Sequence, residues 1–226
     1  MQTVVFDLDG TLADTSADLI AAANACFVAR GYAPVLHPLD DAVIAFHGGR
    51  AMLREGFGRL GHEDVEAAID ADFDRLLAHY DAHICVHTTL YPGVVAAIEA
   101  LREAGYKTAI CTNKPEGLAV KLVDQLGIAP LFDALIGADT LPTRKPDPAP
   151  YLAAVERAGG AVAQSVLIGD TETDRKTAAA VGVPCVLVTF GPEGEAILRL
   201  EPEAAMASYT ILPALVAQLL PARPQG

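Results

Sequence analysis

At 226 residues and 52% hydrophobic, the chain is long and apolar enough for one large domain, or for a core domain with a smaller second one. Its 29 Asp and Glu outnumber its 16 Lys and Arg, for a formal net charge of -13. This argues against nucleic acid and anionic membranes as partners, because both are bound through clustered Lys and Arg, and a small diffusible partner is expected instead. If that partner is an anion, it needs local positive charge on an acidic background.

The chain opens with Val4-Val5-Phe6, an apolar run stopped by Asp7, Asp9 and Gly10. This predicts a buried strand ended by turn chemistry. Met1 to Phe6 lead straight into that strand, so no signal peptide is expected. Thr15 and Asp18 have capping-box spacing, and Leu19, Ala23 and Phe27 form a stripe before Gly31. Val65, Ile69, Phe73 and Leu76 form a second helical stripe. The hundred or so residues from the first strand to the next far exceed a single crossover helix. Residues 15–86 are therefore expected to form an inserted helical domain, with His87 to Tyr91 as the return hinge.

Beyond the hinge, strand and helix patterns alternate. Val94, Ile98 and Leu101 mark a helix stopped by Gly105, and Lys107 to Cys111 a strand. Pro115 suits a helix start, with Leu118, Leu122 and Leu126 following before Gly127. Further strands are expected at Ala134 to Gly137, Ser165 to Ile168 and Pro184 to Val188, and a weaker one at Tyr209 to Leu212. Continuous Val, Ile and Leu runs fit strands covered on both faces. The predicted fold class is α/β, with a largely parallel sheet. The tail from Pro221 to Gly226 reads as frayed. The cysteines (Cys26, Cys85, Cys111, Cys185) lack the close pairing of metal or redox sites. No apolar stretch is long and charge-free enough to span a bilayer. Together these features lead to an expectation of a cytoplasmic protein.

Polar chemistry collects at the predicted strand ends. Asp7 and Asp9, two apart, can face one crevice, and two close carboxylates favour a hard cation such as magnesium. On its own, Asp-x-Asp-Gly reads better as a turn with solvated acids, and the rest of the chain changes that reading. Thr112 and Asn113 follow the second strand and could donate hydrogen bonds to a phosphoryl group, or simply cap a helix before Pro115. Lys145 precedes Pro146-Asp147-Pro148, where it could aim into a site or lie in solvent. Asp170 and Asp174 open the helix after the next strand, where acids also stabilise a helix N-terminus.

The order of these groups, one at each successive strand end, resembles the haloacid dehalogenase superfamily of phosphatases. Phe6 to Thr15 is similar to that family's first motif, Thr112-Asn113 to its second, Lys145-Pro146 to its third and Gly169-Asp170 through Asp174 to its fourth. The resemblance covers nearly the whole chain. It implies a Rossmann-like core from 1–14 and 87–226, with a small helical cap domain at 15–86. It further implies Asp7 as nucleophile, forming an aspartyl-phosphate, and Asp9 as the acid that protonates the leaving oxygen and later activates water. Mg2+ would be held by the Asp7 side chain, the Asp9 carbonyl and Asp170, with Asp174 as a supporting acid. Thr112, Asn113 and Lys145 would hold the phosphoryl group.

Within the family, the acid at Asp9 argues against dehalogenation. None of the lysines (Lys107, Lys114, Lys121, Lys145, Lys176) lies in the cap, which argues against Schiff-base chemistry there. Leu19 stands where β-phosphoglucomutases usually place a histidine. The cap segment Phe46-His47-Gly48-Gly49-Arg50 is similar to the specificity loop of the phosphoglycolate phosphatase branch. Arg50 is thus a candidate reader of a substrate carboxylate, or alternatively a surface arginine. The expected function is hydrolysis of 2-phosphoglycolate or a similar small phosphorylated metabolite. The alternatives are phosphoryl transfer like that of β-phosphoglucomutase, or a phosphoacceptor signalling or binding module.

Overall fold

The computed structural model describes residues 1–220; the tail that the sequence reads as frayed lies outside the described residues. The chain divides into two compact units. One comprises Met1–Ala13 with the chain from Leu90 onward, and the other is Asp14–Thr89. The chain passes between them at two short strands, β2 (Ala13–Asp14) and β3 (Thr89–Leu90).

The first unit is built on β1 (Thr3–Phe6), β4 (Lys107–Cys111), β5 (Ala134–Ile136), β6 (Ser165–Gly169), β7 (Cys185–Val188) and β8 (Ala204–Met206). They form one six-stranded sheet in the order β5-β4-β1-β6-β7-β8, and every pairing is parallel. β1, β4 and β6 are almost wholly buried, as strands covered by helices on both faces must be. The helices are α5 (Val94–Glu103), α6 (Glu116–Gln125), α7 (Ala149–Arg157), α8 (Glu172–Val181) and α9 (Leu212–Leu219). On one face, Tyr151, Ala154 and Val155 of α7 pack with Val5, Ala109 and Leu167 of the central strands.

The second unit contains α1 (Ser16–Ala29), α2 (Ala42–Ala45), α3 (Gly49–Arg59) and α4 (Val65–Ala82). Phe27 of α1 and Phe57 of α3 meet edge to face at 5.1 Å. Gly56 makes that contact possible, because a Cβ there would lie 2.0 Å from the Phe27 ring.

Two sequence expectations need correction. Tyr209 to Leu212 is not a strand: Tyr209–Ile211 is a 3-10 turn that leads into α9, where Pro213 sits in the first turn. The apolar run there is the start of a helix, and the last strand of the sheet is Ala204–Met206 instead. The capping box expected at Thr15 and Asp18 is also not formed, since Thr15 makes no side-chain cap bond. Asp14 Oδ1 accepts from Ser16 N–H at 3.1 Å in its place. Asp18 is drawn away by the return segment: Oδ2 accepts from the N–H groups of Val86, His87 and Thr88 at 2.9–3.0 Å.

Candidate active site at the carboxyl ends of the strands

Strand register assembles the site. Phe6 lies opposite Ile110 on one side and Ile168 on the other, so β1, β4 and β6 end at one level. Asp7 N–H donates to the Ile168 carbonyl at 2.9 Å, and Thr112 N–H to the Ile136 carbonyl at 2.9 Å. Asp7, Thr112 and Asp170 therefore leave the sheet together, at the end where open α/β sheets bind ligands.

After Asp7 the chain closes a tight turn, with Leu12 N–H on the Leu8 carbonyl at 2.9 Å and Gly10 N–H on the Ala13 carbonyl at 2.9 Å. Gly10 has φ +79°, and a Cβ there would fall 2.1 Å from Asp170 Oδ2. Only glycine lets the turn lie against that carboxylate. Thr11 Oγ1 donates to Asp170 Oδ1 at 2.7 Å, and Tyr209 O–H donates to the Thr11 carbonyl at 2.7 Å. Neither residue stands out in the sequence. Thr11 is an ordinary threonine within the first motif, and Tyr209 is about two hundred residues away with no local signal.

At the end of β6, Thr171 and Asp174 form a capping box at the start of α8. Asp174 Oδ2 accepts from Thr171 N–H at 3.1 Å and from Thr171 Oγ1–H at 2.7 Å. Its Oδ1 accepts from Lys145 Nζ at 2.6 Å. Asp174 is fully buried, and both of its oxygens already serve donors of the protein. It is well placed to fix its neighbours.

Lys145 Nζ also stands 3.1 Å from Asp7 Oδ1. Burial works against this ammonium, but the Asp174 and Asp7 carboxylates outweigh it and hold its pKa above the ordinary lysine value. Asn113 braces the same loop, its Nδ2 donating to the Lys145 carbonyl at 3.0 Å. Thr112 is buried, and its Oγ1 accepts from Lys114 N–H at 3.1 Å. Lys114 has no assigned role from the sequence, yet its Nζ lies 2.8 Å from Asp9 Oδ1. Of the predicted site residues, the first unit thus brings together Asp7, Asp9, Thr112, Asn113, Lys145, Asp170 and Asp174. Arg50 belongs to the second unit. There its guanidinium bonds Asp70 at 2.6 Å, lies 3.7 Å from Glu66 and stands over the Phe73 ring.

Asp7, Asp170 and Asp174 offer carboxylate oxygens that all lie within 4.8 Å of one another. Burial pushes Asp7 up to about 6; Lys145 opposes this, while Asp174 and Asp9 add to it. Burial, then Asp7 and Asp174, also push Asp170 well above the usual carboxylate range. An all-carboxylate donor set and the mutual repulsion of its members fit a hard divalent cation. With Asp174 already engaged, Asp7 and Asp170 are the carboxylates open to such an ion.

The haloacid dehalogenase-like hydrolase family model matches residues 1–182. A phosphoglycolate phosphatase of Agrobacterium fabrum is 39% identical over 218 residues, covering 96% of this chain and 93% of the relative. One from Caulobacter vibrioides is 38% identical over 224 residues, covering 98% and 93%. In three dimensions the chain is similar to a "predicted phosphoglycolate phosphatase" from Haemophilus somnus, with TM-score 0.83, 24% identity and coverage of 95% and 97%. That last likeness bears on the fold alone.

Proposed function

The chain belongs to the haloacid dehalogenase-like hydrolase family, and on that premise we propose that it is a Mg2+-dependent phosphatase working through an aspartyl-phosphate on Asp7. The observation that carries this reading is the buried Asp7 carboxylate at the end of the central strand. Its Oδ1 pairs with the Lys145 ammonium at 3.1 Å. Phosphoryl transfer asks the protein for positioning and charge neutralisation, and the strand ends supply both.

In this reading, Asp7 attacks phosphorus and the ester oxygen departs. Lys145 offsets charge on the phosphoryl oxygens, with Thr112 and Asn113 as further donors. Asp9 gives its proton to the leaving oxygen, then takes one from the water that cleaves the aspartyl-phosphate. Asp7, Asp170 and the Asp9 carbonyl would hold Mg2+, which supplies charge neutralisation for the phosphoryl group. Asp174 keeps Lys145 and the start of α8 in place.

The names of the relatives support 2-phosphoglycolate, or a similar small phosphate ester, as substrate. Arg50 is proposed to recognise the substrate carboxylate, and it would have to exchange its Asp70 partner for the substrate. Arg50→Ala is expected to lower kcat/KM for phosphoglycolate at least ~30-fold, the scale of a lost charged pair, and to leave an uncharged aryl phosphate nearly unaffected. Equal loss on both would make Arg50 structural. Among the described residues, no helix is long and apolar enough to cross a membrane.

Asp9 is tested through the leaving group. Since kcat/KM reports the phosphoenzyme-forming step, Asp9→Asn should cost ~10²-fold or more on an alkyl phosphate, whose oxygen needs a proton. An aryl phosphate with a good leaving group should lose far less. The same factor on both esters would remove the general-acid role.

A further inference from the structure

Lys114 is a buried cation to which the proposed chemistry gives no role. Its side chain is 4% exposed, and its Nζ lies 2.8 Å from Asp9 Oδ1. Lysine is seldom buried without a strong reason, because taking an ammonium out of water is costly. The backbone around it is fixed on both sides. Its N–H donates to Thr112 Oγ1 at 3.1 Å, and its carbonyl accepts from Ala138 N–H at 2.9 Å. The ammonium is therefore delivered from a braced turn between β4 and α6, not from a loose loop.

The partner it meets is also informative. Lys145 already serves Asp7 and Asp174, so Lys114 is not needed to balance those two. It pairs with the other acid of the first motif. Asp9 sits two residues beyond Asp7, and the two carboxylates repel each other. Without a counter-charge, that repulsion would favour rotamers turning Asp9 away from Asp7. A fixed ammonium on Asp9 Oδ1 opposes the swing.

We infer that Lys114 is a positioning residue for the acid-base step, holding the Asp9 carboxyl group where it can serve the leaving oxygen and then the attacking water. Lys114 exchanges no proton and acts only through Asp9. The inference rests on the proposed role of Asp9, and the test keeps the two apart.

The experiment compares Lys114→Met, Lys114→Arg, Asp9→Asn and the Asp9→Asn/Lys114→Met double variant. For each, kcat/KM is measured on an alkyl phosphate and on an aryl phosphate with a good leaving group, with thermal melting as the check on folding. Lys114→Met should lose ~30-fold or more on the alkyl ester and under ~3-fold on the aryl ester, a share of the general-acid contribution. Lys114→Arg should recover most of that loss. In the Asp9→Asn background, Lys114→Met should change the alkyl ester by under ~3-fold, because a residue acting through Asp9 has nothing left to position. Equal losses of Lys114→Met on the two esters would overturn the inference. So would a loss that multiplies in full on top of Asp9→Asn. If Lys114→Met melts early, Lys114→Gln is read by the same criteria. If Asp9→Asn itself shows no leaving-group dependence, the role of Asp9 fails first and the inference falls with it.

Discussion

Asp7→Asn abolishes turnover: kcat is expected to fall by at least ~10³-fold on every phosphate ester tested, because an amide cannot form the covalent intermediate that splits the reaction. The fold should survive, for a reason visible in the site. The Asp7 carboxylate is buried among Asp9, Asp170 and Asp174, and burial holds its pKa up at about 6. At neutral pH it is therefore ionised against a desolvation cost, which asparagine removes. Lys145 keeps its 2.6 Å bond to Asp174 in the variant, so it is not left as an unpaired buried charge. The melting temperature measured in chelator at pH 7.5 should stay level or rise. A variant that keeps a tenth of the wild-type rate would show that Asp7 is not the nucleophile.

Removing the metal should have an effect of similar size. A chelator is expected to abolish activity and Mg2+ to restore it, whereas Ca2+ should inhibit, because its higher and looser coordination misplaces the in-line attack. The apo protein gives a second readout, independent of turnover. The pKa values of Asp7 and Asp170 are raised in the folded state above an unfolded value near ~4. The stability they contribute is fully present below ~pH 4 and is lost as pH rises, for Asp7 through about 6 and for Asp170 through its own raised value. Asp41 and Asp133, held low by Arg59 and by the Thr108, Lys107 and Arg102 donors respectively, contribute stability above their unfolded values and stay constant through this window. In chelator, then, the melting temperature should fall by several degrees between pH 5 and 8. Mg2+ should raise it more at pH 8 than at pH 5, since protons compete for the same oxygens. Full activity in chelator would contradict the metal assignment; a flat melting profile would contradict the electrostatics of the cluster.

Much of this site is legible in the sequence because parallel strands give a clear signal. Each central strand is a short apolar run, and the first polar residues after it must emerge at one edge of the sheet. Asp7, Thr112 and Asp170 are found that way, and register then does the assembling. What stayed hidden lacks local signal. β8 is Ala204-Ala205-Met206, with no β-branched or aromatic residue, and it is a strand because β7 offers it an edge. Tyr209 reads as the start of an apolar run, but its hydroxyl holds the turn after β1. Thr15-x-x-Asp18 and Thr171-x-x-Asp174 have the same spacing, yet only the second forms a capping box. Three backbone N–H groups at 86–88 take Asp18 away, and nothing near residue 18 announces them. Lys114 carries no signal of its own in the sequence, because lysine usually belongs to solvent. Its burial and its bond to Asp9 are tertiary facts.

A covalent phosphoryl group on Asp7 can be trapped and located. Asp9→Asn with an aryl phosphate and Mg2+ should form the aspartyl-phosphate, since that leaving group needs little acid, and should hydrolyse it slowly for want of a base. Reduction with borohydride converts an acyl phosphate, but not a free carboxylate, to the alcohol. Peptide mass spectrometry is then expected to find homoserine at position 7, dependent on substrate and absent from the Asp7→Asn/Asp9→Asn double variant. Homoserine at Asp170 or Asp174 in place of Asp7, or an unreduced Asp7 during a burst of released phenol, would contradict the account.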